Sequence, residues 1–382
     1  MREFLMVLLT AAIVTYLATT LVRRLALKVG AMTAVRDRDV HTVPIPRLGG
    51  VAMLVGFAAA VLVGRELPYH GQLFAGSPQL WGVLAAASII TLLGAIDDVR
   101  ELDWLTKLAG QVIAGGVMAF FGVQLVSLPI GGVTYLPEPV MVTLTILVVV
   151  VSTNAVNFID GLDGLAAGVV LISASAFFGW CYLVSSSFDP PNVFSLATFI
   201  SAALIGVCLG FLPHNFHPAR LFMGDAGALL LGLLLAAATI SMTGQVEPSS
   251  SAGIASAATA ILLPVLIPVA ILALPFLDIL LAVLRRTRAG QSPWKPDRGH
   301  LHHRMLDIGH SHRRAVILLY LWSGLIAAGT VSFAYLPAWV SAIGIVCLLV
   351  LAIALTWRTA PEAGDPPPDR ARGRGQASGR AS

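Results

Sequence analysis

The sequence predicts an all-α polytopic membrane protein of about eleven transmembrane helices, with its N-terminus outside and its C-terminus cytoplasmic. Three observations carry this reading. Hydrophobic residues make up 57% of the 382 and charged residues only 12%, against roughly 25% charged in soluble domains, and mean hydropathy is +0.85. The apolar residues fall into successive segments near the ~20 residues that cross ~30 Å of hydrocarbon. The basic residues sort to one side of those segments, as the positive-inside bias requires.

The first apolar segment, 4–26, is long enough to span and has no small-residue cleavage site, so it reads as a retained helix rather than a signal peptide. Further spans are expected at 48–64, 80–96, 107–122, 139–155, 165–184, 194–213, 226–243, 255–284, 315–334 and 338–357. The ninth is too long for one plain crossing, and Pro264, Pro268 and Pro275 break or kink it. The outer loop 123–137 alternates around Gly131 and Gly132 and reads as a short β-hairpin. With eleven spans, 22 of the 24 Lys and Arg share one face, leaving only Arg2 and Arg65 on the other. That face is assigned to the cytoplasm, and the net charge of +4 therefore reflects orientation and implies no nucleic-acid partner. Cys181, Cys208 and Cys347 lie in apolar spans without metal-type spacing. Residues 1–358 form one integral membrane domain. The Pro-, Gly- and Arg-rich segment 359–382 reads as a disordered cytoplasmic tail whose arginines suit weak contact with anionic membrane lipid.

Four polar clusters interrupt this apolar chain, all on the basic side. In "GAIDDVRELDWLTK", Asp97 and Asp98 sit where the third span ends. A lone carboxylate there would be a solvated helix end, but two adjacent ones repel and need a cation or a shared proton. Lys107, nine residues on, supplies a counter-charge or else snorkels to the interface. In "NAVNFIDGLDGL", Asn154, Asn157, Asp160 and Asp163 recur every three residues. A continuous helix would scatter them over opposite faces, so Gly161 and Gly164 predict a break after Asp160 and re-entry as the sixth span. One Asn or Asp suffices for a cap. Burying four polar groups points instead to a ligand. In "PHNFHPARLFMGDAG", Asp225 fits an N-cap of the eighth span, while Asn215, His217 and Arg220 exceed what a cap needs. Asp225 with Asn157 suits a hard divalent cation completed by substrate phosphates. The stretch 285–314 carries eight Lys or Arg and five histidines. Positive-inside bias explains the arginines but not His300, His302 and His303. Zinc would need further ligands, and a basic loop facing carboxylates reads more naturally as a phosphate clamp. Carboxylate pairs, a Mg²⁺ site and a basic loop at one membrane face are the parts of a phosphoryl-transfer site.

The motifs "IDD" (96–98), "NAVNFIDGLDGLA" (154–166), "PARLFMGDAG" (218–227) and "HLHH" (300–303), in this order, resemble the polyprenyl-phosphate N-acetylhexosamine-1-phosphate transferases, glycosyltransferase family 4. "HTVPIPRLGG" (41–50) resembles the family's first cytoplasmic loop. The resemblance spans nearly the whole membrane region. "HLHH" is similar to the GlcNAc-1-phosphate branch, and the longer loops to its actinobacterial, decaprenyl-phosphate-using members. It implies that UDP-GlcNAc and a polyprenyl phosphate from the bilayer give polyprenyl-diphosphate-GlcNAc and UMP, the first step of a cell-wall polymer linker. It implies Mg²⁺, with Mn²⁺ as a substitute, held by Asp225 and Asn157. Asp97 and Asp98 match the catalytic pair, with Asp97 acting on the lipid phosphate. Asn154, Asp160, Asp163, Asn215 and Phe222 match positions around the nucleotide. Lys107, His300, His302, His303 and Arg304 match pyrophosphate and sugar contacts. It also implies a homodimer in the bacterial plasma membrane, its active site facing the cytoplasm. Two other readings stay open. One is the same chemistry with UDP-MurNAc-pentapeptide. The other is a secondary transporter, disfavoured because transporter carboxylates sit near the bilayer midplane.

Overall fold

The structure, a computed structural model, describes residues 1–33, 44–76, 78–127, 134–186, 195–243, 287, 288, 290, 311–333 and 335–358. Among them lie eleven helices: α1 (Arg2–Val29), α2 (Gly49–Glu66), the short α3 (Gly71–Gly76), α4 (Gln79–Arg100), α5 (Trp104–Phe120), α6 (Glu138–Ile159), α7 (Leu165–Ser186), α8 (Leu196–Asn215), α9 (Gly224–Met242), α10 (His312–Ser332) and α11 (Ala338–Arg358). Eight of these, α1, α2, α4, α6, α7, α8, α9 and α10, are long and apolar enough to cross a membrane, while α5 and the apolar part of α11 are shorter. Ten of the expected spans thus coincide with a helix. The expected ninth span, the basic loop with His300, His302, His303 and Arg304, and the tail lie outside the described residues, as does the centre of the expected hairpin, 128–133. Among the described residues no strand occurs, only an isolated bridge between Met32 and Pro46.

Burial follows sequence character. α8 and α9 are apolar on all sides and buried on nearly all of them, as expected of helices at the centre of a bundle. α1 instead exposes Leu5, Leu9, Ile13, Leu17 and Leu21 along one face and packs its other face on α8. Several hydroxyls inside the helices find partners within their own turn, although those of Thr15, Thr91 and Ser341 do not. Thr19, Ser173, Ser201 and Thr239 each donate to the carbonyl four residues back, which removes a polar liability where no water can help. Between helices, Ser152 Oγ donates to the Gly232 carbonyl at 2.8 Å and ties α6 to α9.

The helices run so that one end of the bundle gathers the C-termini of α4, α6 and α8 with the N-termini of α2, α5, α7, α9 and α10. The far end is closed differently. There the Glu3 carboxylate accepts the His70 Nδ1 proton at 2.8 Å and the backbone N–H groups of Tyr69 and His70. Phe4 and Phe199 stand edge-on to the imidazole, and burial holds His70 below the ordinary histidine range.

Candidate active site

The site begins as a backbone junction. The N–H of Phe222 donates to the Pro46 carbonyl at 2.9 Å, and the N–H groups of Gly49 and Gly50 donate to the carbonyls of Phe222 and Met223, each at 3.0 Å. The first turn of α2 is therefore satisfied by the loop that leads into α9. α4 closes on the same point, because a Cβ at Gly94 would collide with the backbone of Asp225 and Ala226. Small residues let three helix ends meet where larger ones would hold them apart.

On this scaffold the acidic residues divide into two kinds. Both oxygens of Asp98 face the start of α9, accepting the N–H of Asp225 at 3.0 Å and of Ala226 at 3.2 Å. Its side chain has no exposed surface. Gly224 sits at φ +67° directly against that carboxylate, a position where a side chain would be strained and would also collide with it. Asp98 is thus the cap of α9, supplied by another helix. It satisfies donors that a helix start leaves open and places negative charge at the positive dipole end. Asp225, expected to fit the cap position, lies inside the first turn of α9 with its side chain turned to the site.

Asp97, Lys107, Asn157 and Asp225 form the second group. Lys107 Nζ lies 2.6 Å from Asp97 Oδ2 and 2.9 Å from Asp225 Oδ2. Asn157 Nδ2 donates to the other oxygen of Asp225 at 3.0 Å. Asp97 Oδ1 accepts the Leu102 N–H at 2.6 Å, which folds the α4–α5 turn over it. Asp103 caps α5 through the N–H groups of Leu105 and Thr106, both at 3.1 Å, and so sets Lys107 on the first turn. Hydrogen bonds from Thr106 hold the Asp103 carboxyl below its usual range. Four helices, α4, α5, α6 and α9, each bring one polar side chain to a point where two carboxylates converge on a single cation. All the acceptors are oxygen, the donor set a hard divalent ion takes.

The stretch after α6 breaks where the glycines predicted. α6 ends at Ile159 and α7 starts at Leu165. Asp160 stands at the C-terminus of α6, half-buried by area yet hemmed in by protein. Burial, then the charges of Asp225 and Asp98, push its carboxyl up to about 8. Asp163 is buried and braces the turn. Its carboxylate accepts His217 Nδ1 at 2.8 Å and the Ala219 N–H at 3.1 Å, and its own N–H donates to His312 Nε2 at 3.0 Å. Asn215 Oδ1 accepts the Gly164 N–H, Asn215 Nδ2 donates to the Leu221 carbonyl, and the Tyr320 hydroxyl donates to the Gly164 carbonyl. The rings of His217 and His312 stack at 4.3 Å. Ligand atoms of Asp163, His217 and His312 lie within 4.8 Å of one another, but each pair is already closed by a hydrogen bond or by ring contact. Asn154 lies one turn deeper in α6, its amide donating to Gln111 Oε1 at 2.7 Å and to the Val150 carbonyl. Phe222 is half-buried in the loop before Asp225.

Sequence reasoning did not single out Arg47, Gln111, His312 or Tyr320 as individual site residues. Arg47 was legible only inside "PIPRLGG". The others sit in apolar helices or the histidine-rich stretch, with no local signal of a partner far along the chain.

A family model described as glycosyl transferase family 4 matches residues 80–243, the stretch that carries Asp97, Asp98, Lys107, Asn157 and Asp225. The chain is 45% identical over 375 residues to the decaprenyl-phosphate N-acetylglucosaminephosphotransferase of Mycolicibacterium smegmatis, covering 96% of this chain and 92% of the relative. It is 46% identical over 336 residues to the protein of the same name from Mycobacterium tuberculosis, covering 87% and 83%. A probable undecaprenyl-phosphate N-acetylglucosaminyl 1-phosphate transferase of Bacillus subtilis is 32% identical over 356 residues, covering 91% and 88%. With likeness running over nearly its whole length and through every helix that builds the site, the chain belongs to glycosyl transferase family 4, the polyprenyl-phosphate N-acetylhexosamine-1-phosphate transferases.

Proposed function

We propose that the protein transfers GlcNAc-1-phosphate from UDP-GlcNAc to a membrane polyprenyl phosphate, decaprenyl phosphate foremost, releasing UMP. The observation that carries the chemistry is the convergence of Asp97, Lys107, Asn157 and Asp225 from four helices. The acceptor and sugar follow from the names of relatives at 45–46% identity. An oxygen of the lipid phosphate attacks the donor's β-phosphorus, and the bond to the α-phosphate breaks with its electron pair leaving on UMP. One phosphoanhydride is lost and one is made, so little driving force is needed and the protein's part is positioning and charge neutralisation. Asp97 orients the lipid phosphate and takes its proton when the phosphate arrives protonated. Lys107 neutralises charge between the two carboxylates. Asp225 and Asn157 would hold Mg²⁺, or Mn²⁺ in its place; the Asp97 and Asp225 oxygens around Lys107 Nζ suit that ion, and Asn157, which turns its Nδ2 to Asp225, would offer its Oδ1 after an amide flip. When bound, the metal supplies Lewis-acid neutralisation of the donor's phosphates. Asp160, Asp163, Asn215 and Phe222 border the nucleotide, and His300, His302, His303 and Arg304 are assigned to the pyrophosphate and sugar on the family resemblance alone.

The reading includes a bacterial plasma membrane location with eleven spans, the site facing the cytoplasm, and a homodimer as the family resemblance implies. Thr243 closes α9 at the far end and His312 opens α10 at the site end. The test is UMP release by the purified protein with Mg²⁺ and polyprenyl phosphate, UDP-GlcNAc beside UDP-MurNAc-pentapeptide, and Asp225→Asn as control. Lipid-dependent UMP from UDP-GlcNAc, lost in the variant, is the expected result. UMP from the pentapeptide donor alone keeps the chemistry and rejects the sugar. No UMP from a folded protein rejects the reading.

A further inference from the structure

We infer that Arg47 binds the donor's pyrophosphate as the second cation of the site beside Lys107; this rests on the transferase reading. A helix N-terminus is a ready site for phosphate, and α9 begins at the centre of the cluster. Asp98 already occupies that position with both oxygens. The helix start is therefore closed to the substrate's phosphates, which leaves them to side-chain cations and to the metal the site would hold. Lys107 is shared between Asp97 and Asp225. Arg47 is held differently. Its backbone N–H donates to the Ala31 carbonyl at 2.9 Å, and its Nε donates to Thr33 Oγ1 at 2.9 Å. Those two bonds fix the guanidinium and leave the Nη pair as a fork. Arg47 Nη1 stands 4.0 Å from Asp98 Oδ1, beyond hydrogen-bond reach, with about a third of its side chain exposed. Asp98 has no need of it, having two N–H donors already, so recruiting Arg47 to a phosphate leaves no buried acceptor bare. A planar fork suits bidentate contact with a phosphate better than a point charge does.

The backbone also points to the donor rather than the lipid. Residues flanking Arg47 are bonded to Phe222 and Met223, on the nucleotide side of Asp225, whereas Lys107 and Asp97 lie across the cluster on the α4–α5 turn. Among the described residues, Asp97, Asp98 and Asp225 outnumber the cations Lys107 and Arg47, so removing Arg47 strengthens a field that repels a pyrophosphate.

The experiment uses the full chain in detergent and separates the two substrates. Arg47→Ala is expected to raise KM for UDP-GlcNAc at least ~10-fold while KM for polyprenyl phosphate stays within about twofold. Arg47→Lys, which keeps the charge and loses the fork, falls between. Titration calorimetry with UDP, which involves no turnover, gives the same order of Kd when a variant is slow. A merely structural role would lower the melting temperature without favouring one substrate over the other. If Arg47→Ala does not fold, Arg47→Lys decides alone, since its KM for UDP-GlcNAc and Kd for UDP must still rise. A rise confined to the KM for polyprenyl phosphate, or unchanged values for UDP-GlcNAc and UDP in a folded variant, overturns the inference while the transferase reading stands. Wild-type protein that neither turns over UDP-GlcNAc nor binds UDP overturns that reading and the role of Arg47 with it.

Discussion

Asp97 and Asp98 are adjacent, equally buried and chemically identical, yet their surroundings give them different work. Asp97 faces Lys107 and the cluster around Asp225, while Asp98 accepts from the start of α9 and has Arg47 4.0 Å away. Replacing Asp98 with Asn leaves an NH₂ group against two backbone donors and removes the charge from the dipole end. The expected loss is about 2 kcal/mol, read as a fall in melting temperature with activity falling as Asp225 loses its seat. Asp97→Asn is expected to cut kcat by ~100-fold with the smaller thermal shift. Equal thermal shifts would remove the distinction. Asp160 makes a third case. Its folded value of about 8 lies above the roughly 4 of an unfolded aspartate. The chain then carries a growing penalty as pH rises from 4 through 8. Without nucleotide and metal, Asp160→Asn is expected to melt higher than wild type at pH 8.5, the gap closing toward pH 4. A gap that does not change with pH would refute this. That these carboxylates matter was legible because charge is costly in so apolar a chain. Which one caps α9 and which one meets Lys107 was not, because it depends on where α9 begins relative to α4.

At the scale of elements, the site exists because helix ends approach more closely than ordinary side chains allow. Gly94 on α4 has the backbone of Asp225 and Ala226 where its side chain would be. Gly94→Leu must push α4 away from α9, parting Asp98 from its two donors and Asp97 from Asp225. A large fall in melting temperature and loss of UMP release are expected together. Gly116 on α5 is the matched control, since nothing lies within 4 Å of an added Cβ. Gly116→Ala is expected to keep activity and gain up to about 1 kcal/mol from helix propensity. If Gly94→Leu behaves like Gly116→Ala, the close approach is not what holds the site. The break at 160–164 was legible from Gly161 and Gly164, as was the placement of ten expected spans, because apolar runs and turn residues are local signals. The brace of Asp163, His217, His312 and Tyr320 was not, since it joins three loops or helices separated by up to 156 residues.

For the whole molecule, the polar groups that could do chemistry gather at one end of the bundle and the other end is closed by Glu3, His70 and aromatic rings. That asymmetry was legible in outline, because 22 of 24 basic residues were assigned to one face from span counting alone. It carries a physical demand. Under the proposed reading a soluble nucleotide sugar enters from water on the side where the carboxylates lie, while a lipid phosphate arrives laterally, which would make the site end the cytoplasmic one. Exposed residues at the two ends test this directly. Glu66 marks the far end and Arg314 the site end, and both are exposed. Cys181 and Cys208 are buried, so a background with Cys347→Ser leaves little to label. On intact cells, a membrane-impermeant maleimide is expected to label Glu66→Cys and to miss Arg314→Cys until the membrane is opened. The reverse pattern would put the carboxylate cluster on the outer face, out of reach of a cytoplasmic nucleotide sugar, and would leave the cluster available only to a transport reading of the same residues.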